Sequence, residues 1–359
     1  MLQALGGKVR GARLERIQGS PHFDGRRFRN AVSTALGAPS PGVIWEYFAG
    51  GARRVPEEPL PVVHRPELRP PREPLEITWL GHSSVLIDLD GYRLLTDPVF
   101  GPRSGPVSWA GPKRFHPVPI APESLPPLDA ILVSHDHYDH LDYPTVRALA
   151  GREETTWITA LGVGAHLEAW GVPADRIVEL DWWDEHDLRG LRVAATPARH
   201  FQGRGPGAST ATFWCGWAVV GPRHSVYFSG DTGPWDEGFA AIGERFGGFD
   251  LSMIEIGAWH PSWGTIHLGP ENALRVHELV RAETLMPVHW GTFNLALHAW
   301  DQPIRHLLEL AGRRGAHLLS PMMGDTVHRE AGVAAYWRER RARAAEAPDP
   351  TVSRPIQPG

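Results

Sequence analysis

Several residue types are scarce in this chain, and each scarcity narrows what it can be. Cysteine occurs once in 359 residues, at Cys215, which excludes an intrachain disulfide. Its surroundings, Phe213-Trp214-Cys215-Gly216-Trp217, read as a buried strand carrying an inert thiol. Lysine is nearly missing: of 36 cationic residues only Lys8 and Lys113 are lysine. The formal net charge is −5, and there is no basic tract with interleaved aromatics, so no nucleic-acid partner is expected. No apolar run approaches the ~20 residues of a membrane-spanning helix. Residues 1–19 lack the apolar centre and cleavage site of a secretory signal, and the expected location is cytoplasmic. Leu2, Leu5, Val9, Leu14 and Ile17 are interspersed with Lys8, Arg10, Arg13 and Arg16, a composition compatible with a weak helix in peripheral contact with the inner membrane face. Gly6, Gly7 and Gly11 weaken that helix and favour an ordinary surface arm.

What the chain does contain suits a soluble globular protein: 42% hydrophobic and 21% charged residues. Its 15 tryptophans mostly suit a core, while Trp182-Trp183 and Trp259 with Trp263 are candidates to line an apolar substrate groove. Regular alternation begins at Leu75-Glu-Ile-Thr-Trp-Leu-Gly-His82. Asp90-Gly91 marks a hairpin turn, and the returning strand, 92–96, ends at Asp97-Pro98. Later, 213–220 reads as a strand, Gly221-Pro222 as a turn, and 225–229 as a strand ending at Gly230-Asp231. Two hairpins that each deliver an aspartate hint at two similarly built halves. Helices are expected at 144–150, 163–170 and 270–282, with a further one capped by Asp301 and ending near Gly315. The tail from about Ala342 is expected to fray.

The densest chemistry lies in Ile131-Leu-Val-Ser-His-Asp-His-Tyr-Asp-His-Leu-Asp142. A short apolar strand stops there in three histidines and two aspartates within six residues. A solvated loop does not need that pattern. A pair of divalent ions does, because imidazole nitrogen and carboxylate oxygen are their natural ligands. Further candidates follow other short apolar runs: His200, Asp231, His289, and His267 in a glycine-bounded loop. Any one alone would more often be an ordinary residue. Together at strand ends they point to one metal centre.

His135-x-His137-x-Asp139-His140, with His200, Asp231 and His289, resembles the ligand pattern of the binuclear metallo-β-lactamase superfamily. The likeness spans roughly Leu75 to Asp325. It extends to the phospholipases D that hydrolyse N-acyl-phosphatidylethanolamine and their bacterial relatives. The segments that carry it are Leu95-Thr-Asp-Pro-Val-Phe100, Gly111-Pro-Lys-Arg-Phe115, Leu125-Pro-Pro-Leu-Asp129, 134–143, Glu179-Leu-Asp-Trp-Trp183, Gly230-Asp-Thr-Gly233, Ile256-Gly-Ala258 and His289-Trp-Gly-Thr-Phe293. The resemblance implies an α/β fold, a four-layer αβ/βα sandwich with metals at one edge of two sheets. Composition, proline-rich from Pro56 to Pro74, sets off an N-terminal extension wrapping the core (1–74); the resembling part is a hydrolase domain (75–330), followed by a C-terminal helix with tail (331–359).

The same resemblance places His135, His137 and His200 on a first ion and Asp139, His140 and His289 on a second, with Asp231 bridging. Zinc suits that set best, and manganese or iron accept it. Asp97 would orient a ligand histidine. Asp231, His267 and Asp139 are the expected catalytic residues, His267 toward a phosphate or its leaving oxygen. The implied activity is hydrolysis of an N-acyl-phosphatidylethanolamine to an N-acylethanolamine and phosphatidic acid. The implied partners are a phospholipid or other phosphodiester substrate, peripheral membrane contact and a homodimer. The rival readings are a hydrolase of the same fold acting on a lactone or another phosphodiester, and a metal-stabilised scaffold without turnover. His260 stands where the family has glutamate, the stretch from Trp263 to His267 is shorter, and Ile266 replaces a glutamine. These departures border the substrate region.

Overall fold

A computed structural model describes residues 2–34, 42, 45, 53–65, 67–204 and 211–346, the side chains of 2, 261 and 341–346 excepted. In its first half the strands are β1 (Leu75–Gly81), β2 (Ser84–Leu89), β3 (Tyr92–Thr96), β4 (Ala130–Val133), β5 (Thr156–Ala160) and β6 (Ile177–Leu180). The second half has β7 (Glu185–Leu188), β8 (Leu191–Thr196), β9 (Gly216–Val220), β10 (Ser225–Phe228), β11 (Phe249–Glu255), β12 (Ala282–Val288), β13 (His317–Leu318) and β14 (Thr326–His328). They form two seven-stranded sheets, ordered β14-β1-β2-β3-β4-β5-β6 and β13-β12-β11-β10-β9-β8-β7. Every residue of β1 and β2 is buried, as expected for strands covered on both faces.

The two halves share one pairing pattern. From β1 to β6 the successive pairs run antiparallel, antiparallel, then parallel three times. From β8 to β13 the order is the same. The strand that follows each half then joins the other sheet: β7 pairs with β8, and β14 with β1. The two hairpin turns also meet. Asp90 and Gly91 have φ of 50° and 95°, as a two-residue hairpin turn of this kind requires. From that turn the Asp90 carboxylate accepts the backbone N–H groups of Arg223 and His224 (2.7 and 2.9 Å) and meets His224 Nδ1 at 2.8 Å.

Helices cover the sheets: α1 (Ala12–Gln18), α2 (Tyr143–Leu149), α3 (Gly164–Ala169), α4 (Asp236–Phe246), α5 (Gly269–Leu279), α6 (Gln302–Arg314) and α7 (Ala335–Glu346). The result is the four-layer αβ/βα sandwich. The block's last residue, Asp142, is the N-cap of α2, its side chain accepting from Thr145 N. Helix α5 stops at Leu279, short of the expected Ala282, because Arg281 takes φ 58° and turns the chain into β12. Asp301 precedes α6 without a side-chain cap bond; it pairs instead with Arg305 and Arg340. The backbone of α7 continues to Glu346, past the point at which fraying was expected; the rest of the tail lies outside the described residues. Phe213, Trp214 and Cys215 are buried but precede β9.

The first residues lie on this body. Ile17 is fully buried, Trp170 Nε1 donates to Gln3 O (2.7 Å), Arg204 Nε donates to Ala4 O (3.0 Å), and Arg13 pairs with Glu168 and Glu179. Further along, Leu60 N donates to Phe115 O and Val63 N to Met323 O. Trp182 belongs to the core as well: it is buried against Phe213 and donates its Nε1 to Trp214 O at 2.8 Å. That corrects the expectation of a substrate-groove role for this tryptophan.

Candidate metal centre

Polar side chains gather where one edge of each sheet meets the other. His82 follows β1, Asp97 follows β3, and His135 follows β4 by one residue. On the second sheet, His200 and Asp231 stand shortly after β8 and β10, Glu255 ends β11, and His289 follows β12. A strand delivers its terminal residue to a fixed place, so these seven positions converge regardless of their distance in sequence. Local backbone geometry is unusual there: His82, Asp97 and His289 have φ of 53°, 31° and 62°. Positive φ is costly for residues with a Cβ and persists where the surroundings enforce it. Here the enforcing bonds include His289 N to His82 O (3.1 Å) and Asp97 N to Leu132 O (2.9 Å).

The candidate ligands fall into two groups that share an aspartate. His135 Nε2 and His200 Nε2 lie 3.0 and 3.2 Å from His137 Nδ1, and 3.8 and 3.7 Å from Asp231 Oδ2. On the other side, His140 Nε2 is 3.1 Å from Asp231 Oδ1, and His289 Nε2 is 3.1 Å from Asp231 Oδ2 and 3.2 Å from Asp139 Oδ2. Asp231 thus stands between one cluster of His135, His137 and His200 and another of Asp139, His140 and His289.

The outer nitrogens decide which atoms face inward. His140 Nδ1 donates to Asp97 Oδ2 at 2.7 Å, and His200 Nδ1 to Ile266 O at 3.3 Å. Ser134 Oγ donates to Asp97 Oδ2 (2.6 Å) and so accepts from His135 Nδ1 (2.9 Å). Each of these rings therefore turns an Nε2 lone pair toward carboxylate oxygens. Among the described residues, His140 Nε2 and Asp231 Oδ1 are buried without a hydrogen-bond partner. Lone pairs facing carboxylates in a buried site repel unless a cation stands between them. The donor set therefore fits divalent metal ions, with the outer hydrogen bonds typical of metal-bound histidine.

The proton equilibria express the same demand for positive charge. Burial alone would depress the His289 imidazole, but Asp231 and Asp139 lift it to about 10. Burial would likewise raise Asp139 and Asp231, yet His140, as an imidazolium rather than the ligand of an ion, holds both well below the ordinary carboxylate range.

All seven sequence-derived ligand candidates come together here, and His267 lies beside them, its ring 5.4 Å from that of His200 and 5.3 Å from that of His289. Two further residues escaped the sequence reading. His82 Nε2 is 3.1 Å from Asp139 Oδ2 and its ring lies 4.1 Å from His289; burial and the neighbouring His289 depress it to about 3. Glu255, fully buried, receives His267 Nδ1 at 2.6 Å. Both follow the strand-end pattern that marked the other candidates, which was the available signal. The motif around Arg114 supports the centre from outside. Its guanidinium lies over Phe293 (4.9 Å), whose ring meets His82 at 5.3 Å, and Phe115 N donates to Thr292 O. From the N-terminal segment, Asn30 brackets His200, donating to its carbonyl (2.7 Å) and accepting its N–H (3.0 Å).

Residues 92–290 match the family model of the beta-lactamase superfamily domain. An uncharacterised protein of Mycobacterium tuberculosis is 45% identical over 288 residues, 79% of this chain and 77% of that protein. The N-acyl-phosphatidylethanolamine-hydrolyzing phospholipase D 1 of Caenorhabditis elegans is 41% identical over 226 residues, 60% of this chain and 64% of the nematode protein. Among solved structures, a metallo hydrolase from the archaeon Ignicoccus hospitalis superposes with a TM-score of 0.53 at 21% identity, over 70% of this chain and 97% of its own. On its sequence, its two sheets and its histidine–aspartate centre, the chain belongs to the metallo-β-lactamase superfamily and is a metal-dependent hydrolase.

Proposed function

We propose that this hydrolase is a binuclear metal-dependent phosphodiesterase acting on N-acyl-phosphatidylethanolamine, releasing an N-acylethanolamine and phosphatidic acid. One observation carries the reading: Asp231 stands between two clusters of ligand-type side chains, with His267 beside both. His135, His137 and His200 would hold one ion, Asp139, His140 and His289 the other, and Asp231 both. Divalent ions held there would supply activation of water and neutralisation of charge on the phosphoryl oxygens. Asp97 keeps His140 in the tautomer that presents Nε2, and Asn30 holds the His200 backbone. His267 lies outside those two clusters, in a further grouping with Asp231, Glu255 and His289, and is suited to protonate the departing alkoxide.

The lipid assignment draws on the nematode relative. Trp109, 74% exposed on the loop closed by the Arg103–Lys113 bridge, adds an aromatic–cation combination suited to a phospholipid surface. Among the described residues, no helix is long and apolar enough to cross a membrane. A second reading, a different phosphodiester or a lactone as substrate, is favoured by His260, whose ring lies against Trp263 at 5.9 Å where the resembling family has glutamate. Incubating the metal-loaded protein with N-acyl-phosphatidylethanolamine, and separately with simple phosphodiesters and lactones, tests both. The proposal expects N-acylethanolamine and phosphatidic acid by mass spectrometry; turnover of lactones alone would overturn it. In the same assay His267→Ala should lower kcat by about 10²-fold or more while both metals remain.

A further inference from the structure

Glu255 is an anomaly in the strand that carries it. It closes the apolar run of β11 with no exposed surface. Among the described residues its ion-pair partners are the imidazoles of His267 (2.6 Å) and His289 (3.7 Å). A buried carboxylate without an arginine or lysine opposite it is poor material for stability. Its oxygens are nevertheless fully used. Oε1 accepts the backbone N–H of Thr232, next to Asp231, at 2.8 Å, and of Leu268, next to His267, at 3.4 Å. Oε2 takes His267 Nδ1. The carboxylate therefore joins the loop of the shared aspartate to the loop of the free histidine.

From this geometry we infer that Glu255 is a positioning residue for phosphodiester cleavage: it holds His267 as an Nδ1–H donor and thereby presents Nε2 to the departing oxygen of the substrate. The inference rests on the phosphodiesterase reading above. The His267 ring is 11% exposed, so with Nδ1 committed to Glu255 the remaining nitrogen serves the substrate side. In the step, the phosphorus–oxygen bond to the alcohol breaks with its electron pair on the alcohol oxygen. A bond from phosphorus to the oxygen of water forms. The alcohol oxygen gains the proton carried on His267 Nε2, and a proton released by water replaces it.

The test is Glu255→Gln in the full-length, metal-loaded protein. The glutamine carbonyl can still accept from Thr232 and Leu268, but its amide meets His267 as a donor and reverses the polarity of that bond. Nitrogen-15 spectra of labelled histidine should show Nδ1 of His267 protonated in the parent, whatever the state of Nε2, and unprotonated in the variant, where it accepts from the glutamine amide. With a series of aryl and alkyl phosphodiesters, the variant should lose about 100-fold in kcat for alkyl leaving groups. It should retain near-parental kcat for p-nitrophenol, which departs without a proton, with KM and metal content unchanged. His267→Ala should show the same leaving-group dependence, and adding Glu255→Gln to it should cost nothing further. Glu255→Asp, which keeps the charge but draws it back, should lie between. Equal loss for both leaving-group types, or additive losses in the double variant, would overturn the inference. A parent protein that cleaves no phosphodiester would sink the functional reading instead, and an unmoved His267 proton would then sink the role of Glu255 independently.

Discussion

At the scale of single residues, the centre depends on which nitrogen of each histidine carries its proton. Asp97 illustrates this. It is fully buried, accepts from His140 Nδ1 and from both the backbone and hydroxyl of Ser134, and through Ser134 also governs His135. One carboxylate thus sets a tautomer in each cluster. Asp97→Asn is expected to weaken metal binding by about 10–100-fold, measured by competition with a chromophoric chelator. An unchanged affinity would contradict the role. Much of this level was legible from residue types. His135, His137, Asp139 and His140 sit within six residues, and His200, Asp231 and His289 each follow a short apolar run. His82 and Glu255 were harder to see because each is a lone polar residue beside an apolar strand, where chemistry alone does not separate a site residue from a satisfied core group. The significance of His82 lies in its closeness to His289, far along the chain, and that of Glu255 in its bond to His267, 12 residues on and beyond the end of the strand. The tryptophans show the opposite limit: Trp182 and Trp259 look alike in sequence, yet Trp182 packs on Phe213 while Trp259 lies over Gly269 beside His298.

At the scale of elements, strands whose alternation and turns were visible were placed well, and the Asp90-Gly91 hairpin follows from turn chemistry. The exchange of β7 and β14 between sheets was not legible, because both are short, partly exposed edge strands whose partners only tertiary packing selects. Helix α5 carries a titratable group away from the candidate metal centre. His277 is buried against Ser252 (Nδ1 to Oγ, 2.9 Å), and burial pushes its imidazole down to about 4. A folded-state value below the free one of about 6.5 means that protonation favours the unfolded chain. The stabilising contribution is complete above pH ~6.5 and lost as pH falls toward 4, at most about 3 kcal/mol. His277→Gln should therefore show a shallower loss of stability across that window in denaturant titrations. Parallel curves for parent and variant would contradict it.

At the scale of the whole molecule, two halves with the same strand pattern are held together at opposite ends by different means. The Asp90 clamp joins their hairpin turns, and the candidate metal centre joins their strand ends, with His135 and His140 from one sheet and Asp231 and His289 from the other. Ions bridging that seam would stabilise the folded state by mass action, about 4 kcal/mol for a site at a thousand times its dissociation constant. Chelation should lower the Tm, and adding back metal should restore it. Two-cation binding where the sheets meet can be counted by elemental analysis of the purified, metal-replete protein. Such binding predicts close to two divalent ions per chain, falling to one or none in Asp231→Ala. A parent protein that turns over substrate fully with no bound metal, or an Asp231→Ala protein that keeps both ions, would contradict it.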